Sequence, residues 1–182
     1  MPNAGKSLGV YITTGDPDTM NDASLYAPGE LGQTFDYNDR TYQIVKLDSG
    51  CTASNASGVP AANDLLYWKA RANYLVTNDF RQAEGGSLGT GAEFNSLAGI
   101  LRNSATAGYY IAMLVRGRNI AVTNTANDTA IGESAIADQT AGRADITGEA
   151  VGTAPTYQSI GRIRTAGSGG TAYVDVDVPE IP

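Results

Sequence analysis

Short runs of alternating apolar and polar residues, separated by turn-forming residues, most limit how this chain can fold. Segments such as "RTYQIVKLD" and "TAYVDVDV" place successive side chains on opposite faces, which is the period of a β-strand. The chain has 182 residues, 22 of them Gly, and strong helix signals are scarce. Many short strands joined by tight turns predict an all-β fold, either a β-barrel or a β-sandwich.

Strand candidates follow one another from Leu31 to the C-terminus. Two runs flank "YNDR" and predict a β-hairpin. Trp68 and Tyr74 are expected to be core residues of two later strands, and Pro60 could begin a single helical turn. The remaining strands are expected in "DLLYWKA", "NYLVTND", "SLAGILR", "YYIAMLVRG", "NIAVTN", "AIGESAIA", "EAVGTAPT", "SIGRIRTA" and "TAYVDVDV".

Composition divides the chain into four parts. Residues 1–30 are rich in turn formers and poor in apolar side chains, which predicts an extended N-terminal arm. Residues 31–84 are expected to form an N-terminal β subdomain, 85–96 a Gly-rich linker, and 97–182 a C-terminal barrel-like domain. The apolar residues of the arm are its expected contacts with a partner: Val10, Tyr11, Ile12, Leu25 and Tyr26.

The side chains that most enzymes use are missing or isolated. The chain has no His, which excludes every mechanism with a histidine base or metal ligand in this chain. The opening "PNAGKS" is only half of a phosphate-binding loop, and no helix-forming sequence follows it. The single Cys51 cannot form an intrachain disulfide. We therefore expect a protein without enzymatic activity and without a cofactor.

Charge and hydropathy limit the partners. The net charge of −7 argues against nucleic acid as the main ligand, and "YYIAMLV" is far too short to span a bilayer. Residues 61–122 carry six basic and four acidic residues, whereas both flanking parts are acidic. Arginine suits protein interfaces. We expect an interface that includes Arg102, Tyr109, Arg116 and Arg118.

The last strand candidate could hold a weak metal site. "TAYVDVDVP" places Asp175 and Asp177 on one face of a strand and three valines on the other. Two such carboxylates could help to bind Ca²⁺. The alternative is a solvated face over a core, with charges that protect a sheet edge from aggregation.

The second half of the chain resembles the auxiliary capsid proteins of tailed phages, which are called cement or decoration proteins. The resemblance lies in "LAGILRNSATAGYYIAMLVRGRNIAV", followed by "AIGESAIADQTAGRADI" and "GEAVGTAP". The order of turns and strands matches that layout at Ala105 to Tyr110, Gly117, Gly132, Ala141 to Arg143 and Ala150 to Ala154. Glu133 stands where the layout has Asp. The resemblance covers about residues 31–182.

The resemblance implies a barrel or tulip-like module without enzyme activity that binds the major capsid protein lattice, often as a homotrimer. It also implies a location in the virion, on the outer capsid surface. An extended arm suits this role, because an arm can lie across neighbouring subunits. Two alternatives stay open at this point. One is another virion part, such as a tail-tube or head-fibre protein. The other is a Ca²⁺-dependent carbohydrate-binding β-sandwich that uses Asp175 and Asp177.

Overall fold

The computed structural model is an all-β protein, which confirms the predicted fold class. It describes residues 17, 26, 28–53, 58–84, 96–123, 131–132, 134–137, 142, 144–145, 159–165 and 170–178. The strands are β1 (Thr34–Tyr37), β2 (Arg40–Leu47), β3 (Leu65–Ala70), β4 (Leu75–Thr77), β5 (Leu97–Leu101), β6 (Tyr110–Thr123), β7 (Ser134–Ala137), β8 (Ala144–Asp145), β9 (Ser159–Thr165) and β10 (Thr171–Asp177). Short 3₁₀ helices cover Pro28–Glu30, Arg71–Asn73 and Phe80–Gln82.

Five strands close into a barrel in the order β2, β4, β3, β5, β6. Closure comes from β6, which pairs antiparallel with β5 on one side and with β2 on the other. The β2–β4 pair is parallel, and the other pairs of the barrel are antiparallel. The barrel takes strands from both sides of residues 85–96, so its strands do not divide at the linker expected there.

All ten strands that the structure describes belong to one hydrogen-bonded sheet, and β6 continues beyond the barrel into the rest of it. We call this part, the end of β6 with β10, β9, β7 and β8, the second sheet. The last residues of β6 pair with β10, and the order then runs through β9, β7 and β8. The register of β6 shifts against both β2 and β10, and Asn119 lies at the shift against β10, between Gly117 and Ile120, in a left-handed conformation with φ of 52°. These irregularities let one strand of 14 residues serve both the barrel and the second sheet. Residues expected to form two strands, "YYIAMLVRG" and "NIAVTN", therefore form one.

The β1–β2 hairpin confirms the turn predicted at "YNDR". Asn38 and Asp39 have positive φ values of 48° and 59°. Two left-handed central residues define a type I′ turn, whose twist matches the twist of the flanking strands. Thr41 Oγ1 donates a hydrogen bond of 2.7 Å to Asp36 Oδ1 across the hairpin. The turn thus presents two aspartates next to one another at the end of the barrel.

Two clusters of buried side chains form the core. The first takes its strand residues only from the five barrel strands and fills the barrel: Val45, Leu47, Leu66, Trp68, Val76, Ala98, Leu101, Ala105, Ile111, Met113 and Val115. The second packs residues of the barrel wall, such as Leu65 and Leu114, against residues of the second sheet, such as Ile120 and Val174. Burying each large apolar side chain contributes about 1.5–3 kcal/mol.

Three local expectations need correction. Tyr74 is not a core residue but is 37% exposed, and its ring meets Trp68 edge-on at 6.5 Å. Pro60 begins no helix, and it lies in a loop before β3. Ala144–Asp145 forms a short strand inside a segment expected to be only turns. The candidate strand "EAVGTAPT" and residues 85–95 lie outside the described residues.

Candidate interaction surface

The exposed side of the second sheet carries most of the charged residues of its strands. We call this surface the outer face and define it by Arg116, Arg118, Arg162, Arg164, Tyr173, Asp175 and Asp177. The opposite side chains of β10, Val174 and Val176, are buried, which confirms the predicted alternation. β10 lies between β6 and β9, so its aspartates do not protect a sheet edge, contrary to expectation.

Arginines engage both carboxylates of β10. Arg116 Nε lies 3.1 Å from Asp177 Oδ1, and Arg164 Nη1 lies 3.5 Å from Asp175 Oδ2. The backbone N–H of Asn119 also donates a hydrogen bond of 2.9 Å to Asp175 Oδ1. In the part of the chain that the structure describes, no group of three or more His, Cys, Asp or Glu residues could hold a metal ion. Each aspartate of β10 thus has an arginine partner on the outer face.

Gly161 allows β9 and β10 to approach closely beneath this face. A Cβ atom at Gly161 would overlap the backbone oxygen of Asp175. Its φ of 155° is also one that side-chain-bearing residues rarely adopt. The same stretch of β10 has register shifts against both β6 and β9. The position of Asp175 on the outer face thus depends on a glycine in the neighbouring strand.

The interface residues predicted in the middle of the chain do not form one patch. Tyr109 is 45% exposed and precedes the first residue of β6, where the barrel strand begins. Arg116 and Arg118 are exposed further along β6, on the outer face. Arg118 has no hydrogen-bond or ion-pair partner in the described part of the molecule. Arg102 is half-buried, and its Nη1 donates a hydrogen bond of 2.6 Å to Asn63 Oδ1, so it joins two loops of its own chain.

Two residues of the expected arm pack on the body of the protein. Tyr26 is only 6% exposed and belongs to the core between the barrel and the second sheet. Pro17 is buried, and its carbonyl accepts a hydrogen bond of 3.2 Å from Asn103 Nδ2. Tyr26 is therefore a core residue, which corrects the prediction that it contacts a partner. Val10, Tyr11, Ile12 and Leu25 lie outside the described residues.

A largely buried polar cluster that was not predicted from the sequence lies at one end of the barrel. We define it as Thr52, Asp64, Asn78, Asp79 and Arg81. Asn78 Nδ2 donates hydrogen bonds to Asp64 Oδ2 at 3.0 Å and to the Thr52 carbonyl at 2.8 Å. Asn78 Oδ1 accepts a hydrogen bond of 3.0 Å from the Thr52 N–H. In the sequence, the dipeptide "ND" occurs at 63–64 and at 78–79, in each case beside a strand. This pattern is the feature from which the cluster could have been predicted.

An ion pair between Arg81 and Asp79 stabilises the exposed side of this cluster. Arg81 donates from Nε to Asp79 Oδ1 and from Nη2 to Asp79 Oδ2, both at 2.8 Å. These two bonds hold the pKa of the Asp79 carboxyl below its ordinary value. Asp48 similarly contacts Lys69 Nζ at 2.7 Å. Thr52 lies in the loop after β2 and Asn78 in the loop after β4, so their bonds join these two loops. Asp64 joins the segment before β3 to them, and Lys69 of β3 joins Asp48.

Cys51 is half-buried beside the barrel core, and burial raises the pKa of its thiol. Because the thiolate is the reactive form, we expect a thiol reagent at pH 8 to label native Cys51 at least about tenfold more slowly than the urea-unfolded chain. The difference should shrink as the pH rises through the raised pKa. Equal labelling rates at pH 8 would contradict this expectation.

No family model matches the chain, and no curated protein matches its sequence. Among the described residues, no helix is long and apolar enough to cross a membrane. The residues of the outer face and of the core therefore carry the functional argument.

Proposed function

We propose that this chain is a non-enzymatic virion structural protein that binds an assembled tailed-phage capsid and stabilises it, as cement proteins do. The observation that carries the proposal is the outer face of the second sheet. It presents four arginines, a tyrosine and two aspartates on one exposed side of the sheet, and arginine and tyrosine are enriched at protein interfaces. Such a surface suits contact with another protein surface better than the enclosure of a small substrate.

The buried carboxylates support a structural role. Asp48, Asp64 and Asp79 are each at most 8% exposed, and each has a partner within its own chain. A catalytic carboxylate would have to reach a substrate from a cleft. These three instead tie loops to the end of the barrel. The absence of enzymatic activity is accordingly part of the proposal.

The partner in this proposal is the lattice of the major capsid protein, on the outer surface of the virion. A homotrimer is the oligomer that the resemblance implies. Tyr109, Arg116 and Arg118 are exposed and are the proposed contacts among the described residues. The proposed arm contacts are Val10, Tyr11, Ile12 and Leu25.

A double charge reversal tests the proposed capsid contact. We expect Arg116→Glu with Arg118→Glu to weaken attachment to capsids at least tenfold, about 1.4 kcal/mol. The fold should persist, because Arg118 has no side-chain partner among the described residues and the exposed Arg116–Asp177 pair contributes at most about 1 kcal/mol. Cosedimentation with capsids that lack this protein measures attachment, and circular dichroism measures the fold.

Arg71→Glu is the matched control, because Arg71 lies in the β3–β4 connection outside the outer face. This variant should attach like the unaltered protein. Undiminished attachment of the double variant would contradict the proposed contact. A density map of the particle that places the protein on the tail would replace the proposal with the tail-tube alternative.

A further inference from the structure

The most exposed large apolar side chain in the described part of the chain belongs to Ile131. It is 64% exposed, although burial of an isoleucine side chain normally stabilises a protein. Its position is fixed by the next residue. Gly132 N–H donates a hydrogen bond of 2.9 Å to the Ile163 carbonyl of β9, and the Gly132 carbonyl accepts one of 2.9 Å from Arg162 Nη1. Ile131 is thus an ordered apolar projection beside β9.

Two arginines of the neighbouring strand lie beside this projection. Arg162 and Arg164 of β9 are both exposed. Asp175 is the carboxylate opposite them, and it also accepts the Asn119 N–H. The patch formed by Ile131, Arg162 and Arg164 therefore combines an exposed apolar side chain with an excess of positive charge, in a chain whose net charge is −7. Its complement is a groove with acidic walls.

A groove that carries two carboxylates and one guanidinium, and so a net negative charge, lies at the tip of the β1–β2 hairpin. Its volume is about 390 Å³, and its lining is Asp36, Tyr37, Asn38, Asp39, Arg40 and Thr41. Asp36 and Asp39 are exposed. The volume is ample for an isoleucine side chain, and the ring of Tyr37 offers it apolar surface. The two aspartates would then lie within reach of the arginines that flank the incoming isoleucine.

The patch and the groove lie too far apart to meet within one molecule. In the sheet, β6 and β10 separate β2 from β9. Three strand spacings of about 4.8 Å amount to about 14 Å. The groove of a second copy of the chain can, however, receive the Ile131 patch of the first. A projection and a pocket on different parts of the same surface make a head-to-tail contact.

We propose that the Ile131 patch of one copy docks into the hairpin groove of a second copy, with Arg162 and Arg164 facing Asp36 and Asp39. The contact is heterologous, so repeating it closes a ring when the rotation between copies permits. Opposite charges fix the direction of docking, and the isoleucine contributes the apolar burial. This inference goes beyond capsid attachment and does not depend on it.

Charge variants with a rescue test this contact by sedimentation equilibrium at low salt. Ile131→Ser should weaken self-association at least tenfold. Asp36→Lys with Asp39→Lys should do the same, and so should Arg162→Glu with Arg164→Glu, since each pair sets like charges against one another. The variant that carries all four charge changes should recover association, because the attraction is restored with reversed signs.

The inference is overturned if the unaltered protein is monomeric at millimolar concentration. It is also overturned if Ile131→Ser associates normally, and this exposed substitution leaves the core untouched. Failure of the fourfold variant to recover association, with its circular dichroism spectrum unchanged, would likewise overturn it. Capsid attachment is measured separately by cosedimentation. A negative result here therefore leaves the proposed function standing, and a loss of attachment alone leaves this contact standing.

Discussion

Replacing Gly161 with alanine should lower the free energy of unfolding by at least about 3 kcal/mol. The new Cβ atom would overlap the backbone oxygen of Asp175, and a backbone cannot move aside as a flexible side chain can. Strands β9 and β10 would have to separate where both cover the core beneath the outer face. Urea unfolding followed by circular dichroism measures the change.

Gly29→Ala is the matched control for this prediction. A Cβ atom at Gly29 has no neighbour within 4 Å, and the residue needs no positive φ. Its substitution should change stability by no more than about 0.5 kcal/mol. An unchanged unfolding midpoint for Gly161→Ala would show that β9 and β10 do not approach as closely as described.

Asn78→Ala should cost about 3 kcal/mol of stability. The amide makes three hydrogen bonds at a position that is fully buried, two to the backbone of Thr52 and one to the Asp64 carboxylate. Removing it leaves these groups buried without their partner, at about 1–3 kcal/mol for each poorly compensated group. Thermal and urea unfolding should both report the loss.

Gln33→Ala provides the comparison for Asn78→Ala. Gln33 Nε2 also bonds a backbone carbonyl, that of Gly29 at 3.3 Å, but this bond is exposed to water. Its loss should cost well under 1 kcal/mol. Similar small costs for the two variants would mean that the polar cluster contributes nothing beyond ordinary surface hydrogen bonding.

Strand positions could be predicted from the sequence where one face of a strand is buried. Val174 and Val176 alternate with Asp175 and Asp177, and the period of two was visible without a structure. The single strand β6 was not predicted, because Arg118 and Asn119 resemble a break between strands. They are instead a register shift inside one strand, and only pairing with β10 distinguishes the two cases.

The candidate interaction surfaces were harder to predict from the sequence than the strands. Composition indicated that arginine and tyrosine would form an interface, but it could not separate Arg102, which bonds Asn63, from Arg118, which is free of partners among the described residues. Tyr26 looked isolated because its neighbours in the core are distant in sequence. The projection at Ile131 and the hairpin groove depend on tertiary placement alone.

Closure of the barrel by β2 and β6 has a consequence for how the chain acquires its structure. Thr41 of β2 pairs with Arg116 of β6, and the other three barrel strands, β3, β4 and β5, all lie between them in the sequence. Pairings so distant in sequence slow folding, because loop entropy is lost before the contacts form. During synthesis, the early strands must wait on the ribosome with an unpaired edge until β6 emerges. An unpaired strand edge of this kind is a template for pairing with other chains, and so it favours aggregation.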